Sequence, residues 1–230
     1  MNPLPDGIIR TPEGIHVLRD DSHLSRWVEE HKRLDIAEPQ IAHYAKYIPA
    51  GGTVIDAGAC IGDHACTYAK LVGPSGSVWA FEPNPMAFTC LALNFERWGT
   101  VKCLNDALSF IRGRATYNRD ANAGAGFISG SSGSVDVMTL DDYAGLFTRI
   151  DFIHLDCEGM ERAALLGGRA VLAKFHPAIV LEINHGCLAR YGLTEADVLA
   201  TLAELGYGWQ EIEAGHGPHL PQRDILALPL

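Results

Sequence analysis

The sequence predicts an α/β fold with a mostly parallel sheet, and three observations carry that prediction. Residues 53 to 85, TVIDAGACIGDHACTYAKLVGPSGSVWAFEPNP, read as strand, glycine-spaced turn, helix and strand, about the length of one parallel crossover. Short apolar runs recur at 101–104, 150–155 and 178–183, with helical stretches before the first and between the last two. Acidic residues close two of the strands, Glu82 after the second and Asp156 after the fourth, where an open α/β sheet places its ligands.

In chain order, two extended runs at 7–10 and 15–18 flank Thr11-Pro12-Glu13-Gly14 and predict a hairpin. Asp21 or Ser22 caps a helix running to about Leu34, with Leu24, Trp27, Val28 and Leu34 on one face. A second helix takes Pro39 in its first turn and carries Ile41, Tyr44, Ala45 and Ile48, until Pro49 and Gly51-Gly52 end it. This piece is too small to be a domain. It is expected to pack over the mouth of the crevice, with His23, Trp27 and His31 as candidates to face it, and the 230 residues are expected to form one domain.

Within the opening unit, Ala65, Tyr68, Ala69 and Val72 form an apolar stripe at helical spacing, broken by Gly73-Pro74-Ser75-Gly76. Asn84 caps the next helix, which has Pro85 in its first turn and runs to Trp98; residues 101–104 form the third strand. Residues 111–140 interrupt the alternation: strands at 114–118 and 134–139 are joined by a Gly/Ser/Ala/Asn-rich stretch at 120–133. A helical stretch to about Lys174 breaks at Gly167-Gly168. Thr194 and Asp197 predict a capping box for a helix bearing Val198, Leu199, Leu202 and Leu205. Residues 207–212 and 224–228 close the chain as an antiparallel pair joined by a loop containing Gly215-His216-Gly217-Pro218-His219.

Glycines at 58 and 62 stand where backbone passes close to a ligand, and N–H groups at a helix start give a weakly electropositive rim. A carboxylate closing the second strand, Glu82, can accept both hydroxyls of a ribose, so the unit predicts a nucleoside-containing cofactor. The turn distinguishes cofactors. A dinucleotide site wants G-x-G-x-x-G, whereas Cys60 stands in place of the second glycine and Asp63 opens the helix. With Asp56 directed into the same crevice, the carboxylates repel a pyrophosphate and suit an ammonium and a sulfonium, as in S-adenosylmethionine.

The formal charge of −10 argues against a nucleic-acid substrate, since phosphate binding rests on Lys and Arg. An apolar fraction of 47% and a charged fraction of 20% suit a soluble globular protein. None of the six cysteines has zinc-finger or C-x-x-C spacing, the N-terminus lacks a signal-like apolar run, and no 18-residue apolar stretch occurs, so a reducing cytoplasm and no membrane partner are expected.

IDAGACIGD, FEPNP, TLDDY, DFIHLDCEGMERAALLGG and PAIVLEI, in that order, resemble the FkbM family of S-adenosylmethionine-dependent methyltransferases from about Gly51 onward. The resemblance implies a Rossmann-like class I methyltransferase fold: a seven-stranded sheet with one antiparallel strand and helices on both faces. It implies cofactor contacts from the turn Asp56, Gly58, Ala59, Cys60, Gly62 and Asp63, and from Glu82 with Pro83 and Asn84. It adds Asp106 and Ala107, where methyltransferases meet the adenine ring, and the 120–133 loop beside the crevice. One departure stands out: His154 occupies a position where the family usually carries lysine.

Methyl transfer to an alcohol needs positioning and a base. Asp156, Glu158 and His185 are the candidate catalytic groups, and Asp156 also stands beside the methionyl end of the cofactor. Glu158 can instead pair with Arg162, four residues on, and His154 is read as a satisfied core histidine. D-x-E is too common a spacing to argue for a metal. The expectation is O-methylation of a small or medium polar substrate such as a sugar or polyketide. Methylation of a peptide amide or amine, a nicotinamide-dependent oxidoreductase, and a binding protein without turnover remain open alternatives.

Overall fold

A computed structural model gives the fold and describes residues 3–35, 40–212 and 222–230; the predicted helix start at Pro39 and the loop 213–221, with Gly215 to His219, lie outside the described residues. The chain opens with β1 (Ile8–Arg10) and β2 (His16–Leu18), the predicted hairpin, followed by α1 (Leu24–His31) and α2 (Ile41–Tyr44). β3 (Thr53–Ala57), α3 (Asp63–Val72), β4 (Ser77–Phe81), α4 (Pro85–Phe95) and β5 (Val101–Leu104) make two successive crossovers. Four short strands follow: β6 (Asp106–Leu108), β7 (Gly113–Asn118), β8 (Phe127–Ser129) and β9 (Val135–Met138). The chain then returns to the main sheet with β10 (Phe152–Leu155), α5 (Glu161–Gly167), α6 (Arg169–Phe175) and β11 (Ala178–Asn184). It ends with α7 (His185–Arg190), α8 (Glu195–Glu204), β12 (Tyr207–Glu211) and β13 (Gln222–Pro229).

The main sheet has seven strands in the order β12-β13-β11-β10-β3-β4-β5, and β13 alone runs antiparallel to the rest. Its inner strands are buried on both faces and therefore read as continuous apolar runs. Alternation sends Val54, Phe152 and Val180 into one core with α3, α4 and the N-terminal hairpin. Ile55, Ile153 and Ile179 enter a second core with the elements after β10. Strand order reverses between β3 and β10, whose carboxyl ends open on one crevice.

Several elements depart from expectation for local reasons. α1 stops at His31 because Lys32 turns left-handed and returns its N–H to the Val28 carbonyl. α4 stops at Phe95, three residues before Trp98. Asp106 and Ala107 do not simply end the third strand; they start β6, which pairs in parallel with β9 in a second, four-stranded sheet. The 120–133 stretch carries a 3-10 turn at Ala123–Ala125 and strand β8, neither visible from its small polar composition. α7, also unexpected, is capped by the Asn184 side chain, which accepts from the Gly186 and Cys187 N–H groups. The predicted caps at Asn84 and Thr194 form as expected.

The N-terminal piece is held by specific bonds. Asn94 of α4 accepts from the His16 N–H at 2.7 Å and donates to its carbonyl at 3.0 Å, in the manner of an extra strand partner. The buried Asp21 carboxylate accepts from the backbone of His23 and Ser25 and, across the chain, of Ala123, so it clasps the start of α1 to the 120–133 segment. Burial alone would raise its pKa, but these N–H donors outweigh it and hold it below the usual carboxylate range.

Candidate active site

The turn after β3 fits its place because only glycine is tolerated there. A Cβ on Gly58, which has a φ of +88°, would lie 1.8 Å from the Asp156 carbonyl oxygen; one on Gly62 would lie 2.2 Å from the Phe95 ring. Cys60 also has positive φ, +47°, where a non-glycine residue is strained. What holds it is Glu82, whose carboxylate accepts from the Cys60 N–H at 2.8 Å and from the Asn84 N–H at 2.6 Å. Burial pushes the Glu82 carboxyl up to about 7 against those donors, and the Asp56 charge adds to the rise.

Past these turns lies a cleft of about 540 Å³, partly open to solvent. Gly58, Glu82, Pro83, Asp106, Ala107, Asp156 and Glu158 all line it. Asp106 is held in place by the Tyr143 hydroxyl, which donates to it at 2.6 Å. Apolar walls come from Phe81, Phe127, Ile128 and Met160, and the Tyr117 ring completes the enclosure. Apolar walls with a few carboxylates match an adenosine body flanked by polar groups.

A wider hollow of about 1320 Å³ adjoins this cleft through Gly58, Asp156 and Glu158; Cys60, Asp63, His64, Glu182 and Arg190 also line it. His23 and Asn122 roof it, from the two segments that Asp21 clasps. A third hollow, of about 600 Å³, is lined by Tyr44, His64, His154, Asp156, Glu182 and Asp224. Asp156 borders all three hollows, and its Oδ1 is buried with no hydrogen-bond partner among the described residues.

The structure brings most of the predicted residues to the clefts and leaves others apart. Gly58, Glu82, Pro83, Asp106, Ala107, Asp156 and Glu158 line the first cleft, and Cys60 and Asp63 the second. Ala59 and Gly62 shape the turn behind them; Ala59 and Gly58 both donate to the Phe81 carbonyl. Asn84 lies in a neighbouring groove beside Tyr117 and acts through its cap on α4.

Asp56 does not reach the crevice. It is fully buried on the α3 side of the sheet and contacts His154 Nδ1 at 3.0 Å, so it borders none of the three hollows. His185 likewise turns outward: its ring is 62% exposed and meets Glu195 at 2.9 Å instead of the hollow. Glu158 pairs loosely with Arg190 at 3.9 Å and accepts from the Cys187 thiol, whereas Arg162 donates to Thr201. Trp27 and His31 stack on each other, leaving His23 as the member of that trio at the hollow.

Residues the motifs did not single out complete the site. Glu161 accepts from the Cys157 and Gly159 N–H groups and so fixes the D-C-E-G turn, with Glu158 at a positive φ of 54°. An acid in the first turn of a helix after a glycine is the signal that could have found it. Glu182 sits within PAIVLEI near the end of β11, a block that by itself gives it no role, and His64, Arg190 and Tyr117 carry no local pattern.

A doubly wound sheet in this strand order, with a glycine turn and an acid at its central strand ends, defines a class I methyltransferase fold. The chain belongs to the methyltransferase FkbM family: residues 56–208 match the methyltransferase FkbM domain. It is 31% identical over 137 residues to the hexuronic acid methyltransferase AglP of Haloferax volcanii, over 57% of this chain and 55% of that one, so the match spans about half of the relative. Among solved structures it resembles a methyltransferase FkbM from Methylobacillus flagellatus, with TM-score 0.50, 17% identity, and coverage of 78% of this chain and 44% of that one. It also resembles a SAM-dependent O-methyltransferase from Thermotoga maritima, with TM-score 0.54, 17% identity, and coverage of 98% and 78%. Among the described residues no helix is long and apolar enough to cross a membrane, and no group of three or more His, Cys, Asp or Glu side chains could hold a metal ion.

Proposed function

We propose that the protein transfers the methyl group of S-adenosylmethionine to a hydroxyl oxygen of a small polar, hydroxyl-rich acceptor of the sugar class. The observation that carries this reading is Asp156, which lines the first cleft and both outer hollows and whose Oδ1 is buried without a hydrogen-bond partner among the described residues. When bound, the cofactor would supply an activated methyl group; the remaining roles fall to this chain. Glu82 is available to the ribose hydroxyls, Asp106 to the adenine amine, and the Gly58–Cys60 turn to the methionyl end. Asp156 would orient the acceptor hydroxyl and take its proton, a contribution worth typically about 10²–10⁴-fold.

The sugar class is supported by the similarity to a hexuronic acid methyltransferase and by the lining of the outer hollows, where carboxylates, amides and a tyrosine alternate. The net charge of −10 favours a small-molecule acceptor over nucleic acid, and six free cysteines favour a reducing compartment such as the cytoplasm. Methylation of an amine is the second reading, favoured by the acidic lining of Asp63, Asp156, Glu158 and Glu182.

Incubating the protein with methyl-labelled S-adenosylmethionine and a panel of hexuronic acids, neutral hexoses and primary amines tests the proposal. Labelled ether on a sugar hydroxyl is the expected product. Labelled amine would establish the second reading, and thermal stabilisation by NAD without any by S-adenosylhomocysteine would overturn both.

A further inference from the structure

Strand register places three acids in one row. Leu155 of β10 pairs with Leu181 of β11, so the next position sets Asp156 beside Glu182, and Glu182 in turn pairs with Asp224 of β13. Side-chain alternation puts all three on the face that also carries Phe152, His154, Val180 and Leu226. Neighbouring strands of a sheet lie about 4.8 Å apart. Asp156 and Glu182 both line the two outer hollows, which meet at these two residues, His64 and Gln222. The Asp156 Oδ1 is buried and unpartnered among the described residues.

We propose that Asp156 and Glu182 form a proton-sharing carboxyl pair at which the acceptor's reacting hydroxyl docks, Asp156 taking its proton and Glu182 positioning Asp156 for the task. This rests on the methyl-transfer reading above. Two carboxylates side by side in a half-buried setting do not both ionise readily, so the pair keeps one proton. Burial raises both groups, Asp156 well above the carboxylate range and Glu182 to about 8; the Glu182 charge also raises Asp156.

The surrounding charges mostly act in the same sense. Glu158 and Glu161 raise both members, and Asp224 raises Glu182. His64 from α3 opposes the rise at Asp156. His154 beside Asp156 on β10 is committed to Asp56, and Arg223 on β13 is committed to Glu195 and Glu211.

A pair holding one proton offers one donor and one acceptor, the complement of a neutral hydroxyl. In the step itself the acceptor O–H bond breaks and its proton passes to Asp156. An O–C bond forms to the methyl carbon, and the S–C bond breaks with its electron pair left on sulfur as a neutral thioether.

The test is a carbon-13 titration of carboxyl-labelled protein with S-adenosylhomocysteine, comparing wild type with Glu182→Gln and Asp156→Asn. Wild type is expected to show one carboxyl step near pH 8. Glu182→Gln should abolish that step and move the Asp156 step down by about one pH unit or more. Asp156→Asn should lower the Glu182 step reciprocally. The acid limb of the rate profile with a hexuronic acid probe should follow the Asp156 step.

An Asp156 step unmoved by Glu182→Gln, or a Glu182 step unmoved by Asp156→Asn, would overturn the pair. If S-adenosylhomocysteine fails to stabilise the protein, the cofactor reading falls instead, and the titration of ligand-free protein still decides whether the carboxyls are coupled.

Discussion

The two halves of the site are built differently. The proposed cofactor side is made of tight turns and strand ends within one contiguous stretch: Gly58 and Gly62, Glu82 bonded back to the Cys60 and Asn84 backbone, and Asp106 at the start of β6. The proposed acceptor side is assembled from side chains of separate elements: His23, His64, Asn122, Asp156, Glu182 and Arg190. The first is fixed by backbone geometry. The second depends on which side chains each element happens to present. The difference implies that substitutions on the cofactor side lose binding or folding, while those on the acceptor side lose turnover and keep cofactor binding.

Asp156→Asn is the sharpest way to break that division. Methyl transfer should fall by about 10²–10⁴-fold while S-adenosylhomocysteine affinity changes by less than about tenfold. Equal losses in both would move Asp156 to the cofactor side.

Gly58→Ala should act in the opposite way. Its Cβ would collide with the Asp156 carbonyl oxygen at a φ of +88°, so the variant should lose about 3 kcal/mol or more of stability in a denaturant titration, together with cofactor binding.

Glu82→Gln should weaken S-adenosylhomocysteine by roughly tenfold to a hundredfold, the scale of a charge-assisted hydrogen bond. Because burial holds the Glu82 carboxyl near 7, wild-type affinity should weaken as pH falls through about 7, and Glu82→Gln should not share that dependence. Calorimetric titration between pH 5.5 and pH 8.5, about one and a half units either side, reads both.

Asp21 sits between the halves, and its loss should be felt mainly as stability. Its folded pKa lies below the unfolded one, so its contribution is present above the unfolded value of about 3.9 and is lost as pH falls through the folded one. Asp21→Ala should cost about 1–2 kcal/mol near neutral pH and become indistinguishable from wild type in the acid range. The smallest effect is expected at His185. Its exposed contact with Glu195 contributes at most about 1 kcal/mol, and His185→Ala should leave the methylation rate within about threefold.

The same division explains what could be foreseen. The strand–turn–helix–strand unit, the caps at Asn84 and Thr194, and the acid at Glu82 are local patterns with fixed periods, and they lie where the pattern puts them. Asp56 was legible as a strand end, but its direction was not. Period-2 alternation sends it to the α3 face, where His154 meets it. Nor could the Asp156–Glu182 neighbourhood be read directly, since it depends on the register between strands with two helices between them. β8 and α7 were missed because small polar residues and a two-residue cap leave little periodicity to detect. Tyr117 reaches the cleft from a strand outside any motif.

The central claim is that the cleft past β3, β4 and β10 holds the methyl donor on Glu82. Calorimetric titration of wild type and Glu82→Gln with S-adenosylhomocysteine, with NAD as the control, tests it most directly. One equivalent bound by wild type, weakened by roughly tenfold or more in the variant, and no heat from NAD is the predicted result. Equal affinity in both proteins, or saturable binding of NAD in place of S-adenosylhomocysteine, would contradict it.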